Sequence, residues 1–254
     1  MKNRQKTILF KDSACFKYLQ RMTSLYRLLV FGLIFFTHCT YGQGSNIGQF
    51  AIWKAKDGQL QSFEEGYKQH LNWHKTNGDQ WGWYGWFFIS GPRYGQFADA
   101  TFDHSWSDFD KAVKPSDDMA DNKLHVFPFA DVQAIFKVAG VPGASSNNEM
   151  KARLARWVTL TTDDPEQAVK VSEKLKDYYT SKQIRFFKTY QVIDGGDTSQ
   201  VILMLGFDNW GEYAISEDLN RKVAEFEKSL KSKAIRSVVS ETMIYRADLS
   251  FFPN

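Results

Sequence analysis

The stretch SWSDF at residues 105–109 returns as NWGEY at residues 209–213, an offset of 104 residues. Both stretches open on a residue that favours the N-cap of a helix and carry an acid three positions later, which is the capping-box pattern. Each also contains a tryptophan and ends on an aromatic residue. Two further pairs share the offset: Trp53 with Trp157, and Gly91 with Gly195. An internal repeat of this kind decides the architecture before any single motif does.

The same order of local patterns runs through both halves. In the first half, the pattern predicts a strand at 50–53, a helix from Leu60 to His74, strands at 83–90 and 96–103, a helix capped by Ser105 and a last strand at 132–138. In the second half, it predicts a strand at 154–161, a helix after Asp164-Pro165, strands at 184–193 and 201–207, a helix capped by Asn209 and a last strand at 238–245. The order βαββαβ is typical of a ferredoxin-like unit. We therefore predict an α+β protein with a first repeat at 43–138, a linker at 139–149 and a second repeat at 150–254.

A ferredoxin-like unit covers one face of its sheet with helices and leaves the other face bare. Two units in one chain can pack sheet to sheet and cover both bare faces. This layout resembles the dimeric α/β-barrel superfamily, which includes antibiotic-biosynthesis monooxygenases and NIPSNAP-like proteins. The resemblance implies a pseudo-dimeric barrel and a ligand held between sheet and helices, often with no metal or organic cofactor. It fixes no activity, and it leaves a homo-oligomer open.

The N-terminal segment has the pattern of a secretory signal. Basic residues precede the apolar run LYRLLVFGLIFF at 25–36, and small residues follow it. The run is shorter than the roughly 20 residues that a membrane span needs. We expect residues 1–42 to be a signal peptide, with Met22 as a second candidate start. The mature protein is then exported to the periplasm or the cell exterior, and it has no membrane span.

Removal of the signal changes the charge of the chain. Residues 1–42 hold seven Lys or Arg and one acid, so the remainder has 25 basic and 28 acidic residues, a formal charge of −3. This balance argues against a nucleic-acid partner. Both cysteines, Cys15 and Cys39, also lie in the removed part. The mature chain therefore has no disulfide and no thiolate metal site.

The four histidines beyond the signal all lie in the first repeat. His70 and His74 are four residues apart on a predicted helix, so they could present two imidazoles to one ligand. No third metal ligand has diagnostic spacing, and Asp117-Asp118 resembles solvated surface, so the sequence predicts no metal site. The alternative is that both rings simply pack where the second repeat has Lys174 and Tyr178.

His104 is the candidate catalytic residue. It lies where the third strand runs into the capped helix, a place where polar groups converge on ligands. Oriented by Asp103 or Asp99, its imidazole could act as a general base near neutral pH. The alternative is that His104 only serves the helix entry, as Asp208 does in the other repeat.

Aromatic residues are dense around the second strand. Alternation places Trp83, Phe87 and Ile89 on one face and Tyr84, Trp86 and Phe88 on the other, one set under the helices and one in the barrel. The candidate ligand-binding residues are Trp83, Tyr84, Trp86, Arg93, Tyr94, His70 and His74. Aromatic rings offer contact area to a flat apolar ligand, and the guanidinium offers a partner for an anionic group. The alternative for these residues is a bulky core.

Three functions remain open from the sequence. The first is an exported protein that binds a small, partly apolar ligand in an aromatic-lined pocket of the first repeat, without a cofactor. The second is a cofactor-independent oxygenase or isomerase of the barrel superfamily, with His104 as base. The third is a protein-interaction module, which predicts a filled barrel and an exposed aromatic patch. No phosphate loop, nucleophile elbow or zincin motif occurs in the chain.

Overall fold

The computed structural model describes residues 46–253. The strands are β1 (Ile47–Ala55), β2 (Tyr84–Phe88), β3 (Phe97–His104), β4 (Ala130–Gly140), β5 (Leu154–Thr162), β6 (Phe186–Asp194), β7 (Gln200–Phe207) and β8 (Ile235–Tyr245). The α-helices are α1 (Leu60–Thr76), α2 (Pro115–His125), α3 (Pro165–Thr180), α4 (Trp210–Tyr213) and α5 (Leu219–Ser229). The expected signal peptide at residues 1–42, with its second start at Met22, lies outside the described residues and stays a prediction. Within residues 46–253, none of the helices has both the length and the hydrophobicity that crossing a bilayer requires.

The eight strands form a closed antiparallel barrel in the order β1-β3-β2-β8-β5-β7-β6-β4. Strands of the first half follow the order β4-β1-β3-β2, and those of the second half follow the same order, β8-β5-β7-β6. The α+β class is thus confirmed. The two four-stranded sheets do more than face each other, because β2 pairs with β8 and β4 pairs with β6 along both edges. Closure leaves no unpaired sheet edge in the barrel.

The barrel interior is filled by large side chains. Trp86 and Phe88 of β2 point inward, whereas Phe87 points outward, as the alternation in the sequence predicts. Inside the barrel, the rings of Phe50 and Trp157 meet edge to face, with centroids 4.9 Å apart. Edge-to-face contacts of this kind add to the stabilisation from burying the rings.

Helices cover the outer face of each half. The apolar stripe of α1 packs on β1 and β3 through Phe63 and Tyr67. The stripe of α3 packs on the second half through Val171 and Leu175, which are fully buried. Asp164 caps α3 by accepting a hydrogen bond from the backbone N–H of Gln167, as the sequence predicts.

In both matched capping stretches the N-cap residue is hydrogen-bonded to the acid three positions later, but the two bonds are opposite halves of the capping box. The backbone N–H of Ser105 donates to Asp108 at 2.7 Å, and the backbone N–H of Glu212 donates to Asn209 at 2.9 Å. Gly91 and Gly195 both adopt positive φ, at 86° and 73°, in the turns between paired strands. The element that Ser105 begins, Trp106–Lys111, is a 3-10 helix, and the first half continues into α2 only after it.

The shared offset pairs Trp53 with Trp157, but the two residues are not structurally equivalent. Trp157 lies inside the barrel, whereas Trp53 lies on the outer face beneath α1. Neighbouring residues of a strand point to opposite faces, so an alignment of the first strands that slips by an odd number of residues exchanges inside and outside.

The C-terminal residues that follow β8 return to the first half. Trp83 and Phe251 exchange two backbone hydrogen bonds of 2.7 and 2.8 Å. The guanidinium of Arg246 donates to Glu64 of α1 at 2.8 Å, and Ser250 accepts from the backbone N–H of Gly85. We call residues 246–252 the C-terminal strap, because this segment joins the second half to β2 and α1.

Candidate functional site

A cavity of about 240 Å³ lies between the outer face of the first-half sheet and helices α1 and α2. We call it the outer cavity. Its lining comprises Gln49, Ala51, Trp53, Tyr67, His70, His74, Trp83, Asp99, Asp118, Met119, Asn122, Phe127, Val132 and Ile135. The lining combines an apolar wall with a group of ionisable side chains, which is the composition expected of a small-molecule site.

Helices α1 and α2 approach each other closely beside the outer cavity. A Cβ on Gly66 of α1 would lie 1.8 Å from the carbonyl oxygen of His125 at the end of α2. Only a residue without a side chain fits there. The close approach brings the acidic residues of α2 beside the histidines of α1.

His70 and His74 lie one turn apart on α1 and are both buried. Their Nε2 atoms face each other at 3.2 Å. Residues four apart on a helix are neighbours on its surface, so the spacing alone predicts that the rings meet. What the spacing does not predict is which groups surround them.

A carboxylate lies behind each ring. Nδ1 of His70 is 2.8 Å from an oxygen of Asp121. Nδ1 of His74 is 2.8 Å from an oxygen of Asp79, although that contact is poorly aligned for a hydrogen bond. Asp79 is itself held by the backbone N–H of Trp81 at 3.0 Å and by Nε1 of Trp83 at 2.9 Å. The Asp121 hydrogen bond orients the ring of His70, and Asp79 faces Nδ1 of His74, so that Nε2 of each ring is turned toward the other ring.

Asp118 of α2 completes the group. One of its oxygens lies 3.4 Å from Nε2 of His70 and 3.7 Å from Nε2 of His74. The side-chain amide of Asn122 is 3.0 Å from Nε2 of His70 and 3.3 Å from the same Asp118 oxygen. We call His70, His74 and Asp118 the triad. Among residues 46–253, the triad is the one group of at least three His, Cys, Asp or Glu side chains whose donor atoms lie close enough together to share a metal ion.

The interpretation of Asp118 as solvated surface is therefore wrong, because its carboxylate is only partly exposed and faces two imidazoles. The sequence carried a usable signal. Asp121 and Asn122 lie three and four residues after Asp118, and His125 lies four and three residues after them, which places all four on one helix face.

Burial is the main cause of the pKa shifts of His70 and Asp118. Burial and, to a smaller extent, the nearby His74 together lower the pKa of His70 to about 4, while the Asp121 contact opposes the shift. Burial also raises the pKa of Asp118. Both shifts favour the neutral form of the group that titrates.

Asp99 of β3 is a second buried carboxyl of the outer cavity. Nε1 of Trp53 donates to it at 2.7 Å. Burial raises the pKa of Asp99 to about 7, although the Trp53 and Tyr67 contacts oppose that shift. Burial likewise raises the pKa of Tyr67, and the charge of Asp99 adds to the effect. A carboxyl with a pKa near neutrality can exchange a proton with a ligand.

The predicted ligand-binding residues divide among three places. Trp83 lies at the outer cavity with His70 and His74, so the structure brings these three together. Tyr84 and Trp86 stack in the barrel interior, with ring centroids 5.4 Å apart.

The other two predicted ligand-binding residues lie away from the outer cavity. Arg93 donates through Nε to Glu241 at 2.8 Å, and its guanidinium lies over the rings of Phe88 and Trp157. Its planar donors are therefore already engaged in an ion pair and two cation–π contacts. Tyr94 is 74% exposed.

His104 does not line the outer cavity. Its Nε2 lies 2.5 Å from Oγ1 of Thr101, and its ring packs at 4.2 Å on that of Trp81. Burial lowers the pKa of His104. Asp99, expected as an orienting partner, instead accepts from Trp53. His104, the candidate general base from the sequence, therefore contacts the hydroxyl of Thr101 and not the carboxylate of Asp99.

Comparison with known proteins supports the architecture. No protein-family profile and no curated protein sequence matches the chain. A "putative monooxygenase" from Lactobacillus acidophilus has a similar structure, with a TM-score of 0.58 and 10% identity over 81% of this chain and 95% of that one. An anthrone oxidase-like protein matches with a TM-score of 0.51 and 9% identity over 80% and 92%. A chlorite dismutase mutant from Candidatus Nitrospira defluvii matches with a TM-score of 0.51 and 8% identity over 79% and 92%.

These three structures share the dimeric α/β-barrel architecture, so the resemblance stated from the sequence is confirmed at the level of the fold. At identities of 8–10% the likeness concerns the fold alone. One fold hosts many functions, and the function has to be argued from the site.

Proposed function

We propose that this protein binds a small, partly apolar molecule in the outer cavity of its first half. The observation that carries the proposal is the composition of that cavity. The rings of Trp53, Trp83 and Phe127 form an apolar wall, and the triad and Asp99 supply polar groups. A dry cavity of about 150 Å³ already holds benzene, so a ligand of one or two aromatic rings carrying a hydroxyl or carboxyl group suits the outer cavity.

Two broader features belong to the same proposal. We infer that the two halves are tandem copies that together replace a dimer of single units, which their common strand order and the capping sequences repeated at an offset of 104 residues support. We infer also that the protein is exported, which rests on the apolar run at 25–36. Sequencing the N-terminus of the protein recovered from outside the cytoplasm tests export, since a start near residue 43 is expected.

Tryptophan fluorescence tests ligand binding. Trp53 and Trp83 line the outer cavity, so 1,4-naphthoquinone and 2-naphthoic acid should quench or shift emission in a saturable way. Trp83→Phe should weaken binding about tenfold, which corresponds to about 1.4 kcal/mol of lost contact. Trp210→Phe, at a tryptophan 54% exposed on the other half, is the matched control and should leave the affinity unchanged. Absence of any saturable change with either probe would contradict the proposal.

A second candidate function is a proton-transfer reaction in the same cavity, of the kind that begins a cofactor-independent oxygenation or an isomerisation. The observation that favours it is the raised pKa of Asp99, which leaves this carboxyl able to accept a proton near neutral pH. Two of the similar structures carry monooxygenase and oxidase names. If the protein turns over a hydroxylated aromatic compound, Asp99→Asn should abolish turnover and retain binding. His104→Ala should reduce turnover only if His104, and not Asp99, is the base.

A further inference from the structure

We propose that the triad of His70, His74 and Asp118 binds a single divalent transition-metal ion of the zinc class. Two imidazole nitrogens and one carboxylate oxygen are ligands that such ions use in proteins. The inference goes beyond the binding of an organic ligand and does not rest on it, because it depends on the three donor atoms alone.

The spacing of the donor atoms fits an ion. The three atoms are separated by 3.2, 3.4 and 3.7 Å. A point equidistant from all three lies about 2.0 Å from each, and zinc bonds to imidazole nitrogen and carboxylate oxygen measure about 2.0–2.2 Å. An ion therefore fits between the three side chains as they stand.

Three hydrogen-bond acceptors of the triad converge on one point, where a cation could bind. An ionised carboxylate only accepts, so Asp121 and Asp79 favour a proton on Nδ1 of each ring. A neutral ring with its proton on Nδ1 has a bare lone pair on Nε2. Two such lone pairs and an Asp118 oxygen then converge, and the Asn122 amide is the donor beside them. A metal ion would satisfy all three acceptors at once.

The carboxylates behind the rings are typical of a metal centre. Histidine ligands usually donate their other nitrogen to a carboxylate or a carbonyl, which orients the ring and raises its basicity. Here Asp79 is in turn anchored by Trp81 and Trp83. The orientation of the rings is thus supported from behind.

The fold itself does not require histidines at these positions. The sequence offset of 104 residues pairs His70 and His74 with Lys174 and Tyr178. Counted from the first residue of each helix, the structural counterparts are instead Leu175 and Tyr179 of α3. Both counterparts are fully buried and pack the same kind of helix on the same kind of sheet. In the second half, a leucine and a tyrosine therefore serve the structural role, and the hydroxyl of Tyr179 donates to Asp218.

The site leaves a coordination position free for an exogenous ligand. It supplies three protein donors, and metal centres with three protein ligands keep a further position for water or substrate. All three donors belong to residues that line the outer cavity. An oxygen atom of a bound molecule could thus reach the ion from the cavity.

Metal titration tests the proposal. The full chain carrying Cys15→Ser and Cys39→Ser, which removes both thiols, is stripped with a chelator and titrated with Zn²⁺ by calorimetry. One ion per chain should bind. Asp118→Asn, which keeps the shape of the side chain, and His74→Gln should each weaken binding at least tenfold. His104→Gln, at a histidine outside the triad, is the matched control and should bind Zn²⁺ like the parent.

Co²⁺ absorption gives an independent readout of the same site. The parent should show visible bands of a low-symmetry nitrogen and oxygen site, and Asp118→Asn should lose them while its circular dichroism stays that of a folded protein. Binding of less than half an ion per chain by the folded parent would overturn the proposal. So would an equal loss in His104→Gln, or full binding in the double variant Asp118→Asn, His74→Gln. Neither measurement involves an organic ligand, so its outcome is separate from that of the fluorescence experiment.

Discussion

The two halves of the barrel place very different side chains at corresponding positions. On α3, the residues facing the sheet are largely apolar, and they belong to a continuous buried cluster with β5 and β7. On α1, His70 and His74 take two of these positions, and the sheet beneath offers Asp99. The second half therefore stabilises the molecule through its core, while the first half gives up part of its core to a polar cavity. In a barrel whose two halves share one strand order, one half can maintain the fold while the other carries a polar cavity.

The largest expected effect comes from placing a histidine, as found at position 70 of α1, at the corresponding position 175 of α3. Leu175→His should lower the free energy of unfolding by about 3 kcal/mol, because it removes apolar contacts and buries an imidazole without a partner. Urea unfolding monitored by circular dichroism measures the loss.

The reciprocal variant is the control for this comparison. His70→Leu gives the first half the residue of the second, and it should cost about 1 kcal/mol or less, because the imidazole it removes is itself costly to bury. Asp121 keeps its contact with His125 at 3.0 Å in that variant. Equal losses in both variants would mean that the two helix faces do not differ in the way we describe.

The free energy of unfolding should depend on pH because Asp99, in the first half, titrates differently in the folded and unfolded protein. Its pKa is about 7 in the folded protein and 3.8 ordinarily, so the unfolded chain releases this proton first as the pH rises. The stabilising contribution is complete below pH 4 and is lost as the pH approaches 7. Between pH 5 and 6, the parent should lose about 1 kcal/mol relative to Asp99→Asn.

Urea titrations at pH 5 and pH 6, with chelator present, measure that difference. Ile202 of the second half has no charge to titrate, so Ile202→Val serves as a control whose stability should shift in parallel with that of the parent. Parallel curves for the parent and Asp99→Asn would show that Asp99 ionises normally in the folded state.

The smallest expected effect concerns the N-caps of α1 and α3. Asp164 caps α3 through its side chain, whereas Gln59 before α1 makes no side-chain cap. Asp164→Ala should cost about 1 kcal/mol or slightly less. Gln59→Ala should change stability by no more than about 0.3 kcal/mol, within the range of ordinary surface substitutions. Thermal unfolding of both variants compares the two starts, and a similar cost for each would contradict the assignment of the caps.

The sequence predicted the features that depend on neighbouring residues. Strand alternation placed Trp86 inside and Phe87 outside, and the caps at Asp164 and Asn209 follow from local hydrogen bonding. The order of elements, and with it the barrel architecture, follows from the same local patterns.

The composition of the site could be predicted only in part. The meeting of His70 with His74 is a consequence of helical spacing. The contacts of Asp118 and Asp79 with these rings depend on how α2 and the loop before β2 pack against α1, which no local pattern encodes. Glu241, which engages Arg93, is likewise 148 residues away in the chain. Long-range partners of this kind decide which polar residues face a cavity and which are already bonded.

The C-terminal strap sets the order in which a newly made molecule can mature. Its backbone pairs with Trp83, and Trp83 in turn holds the Asp79 that lies behind His74. During translation, the ribosome delivers residues 246–252 only after every strand of the barrel has been synthesised. The histidines of α1 thus emerge early and acquire their finished surroundings late, so the proposed binding site is among the last regions to be completed.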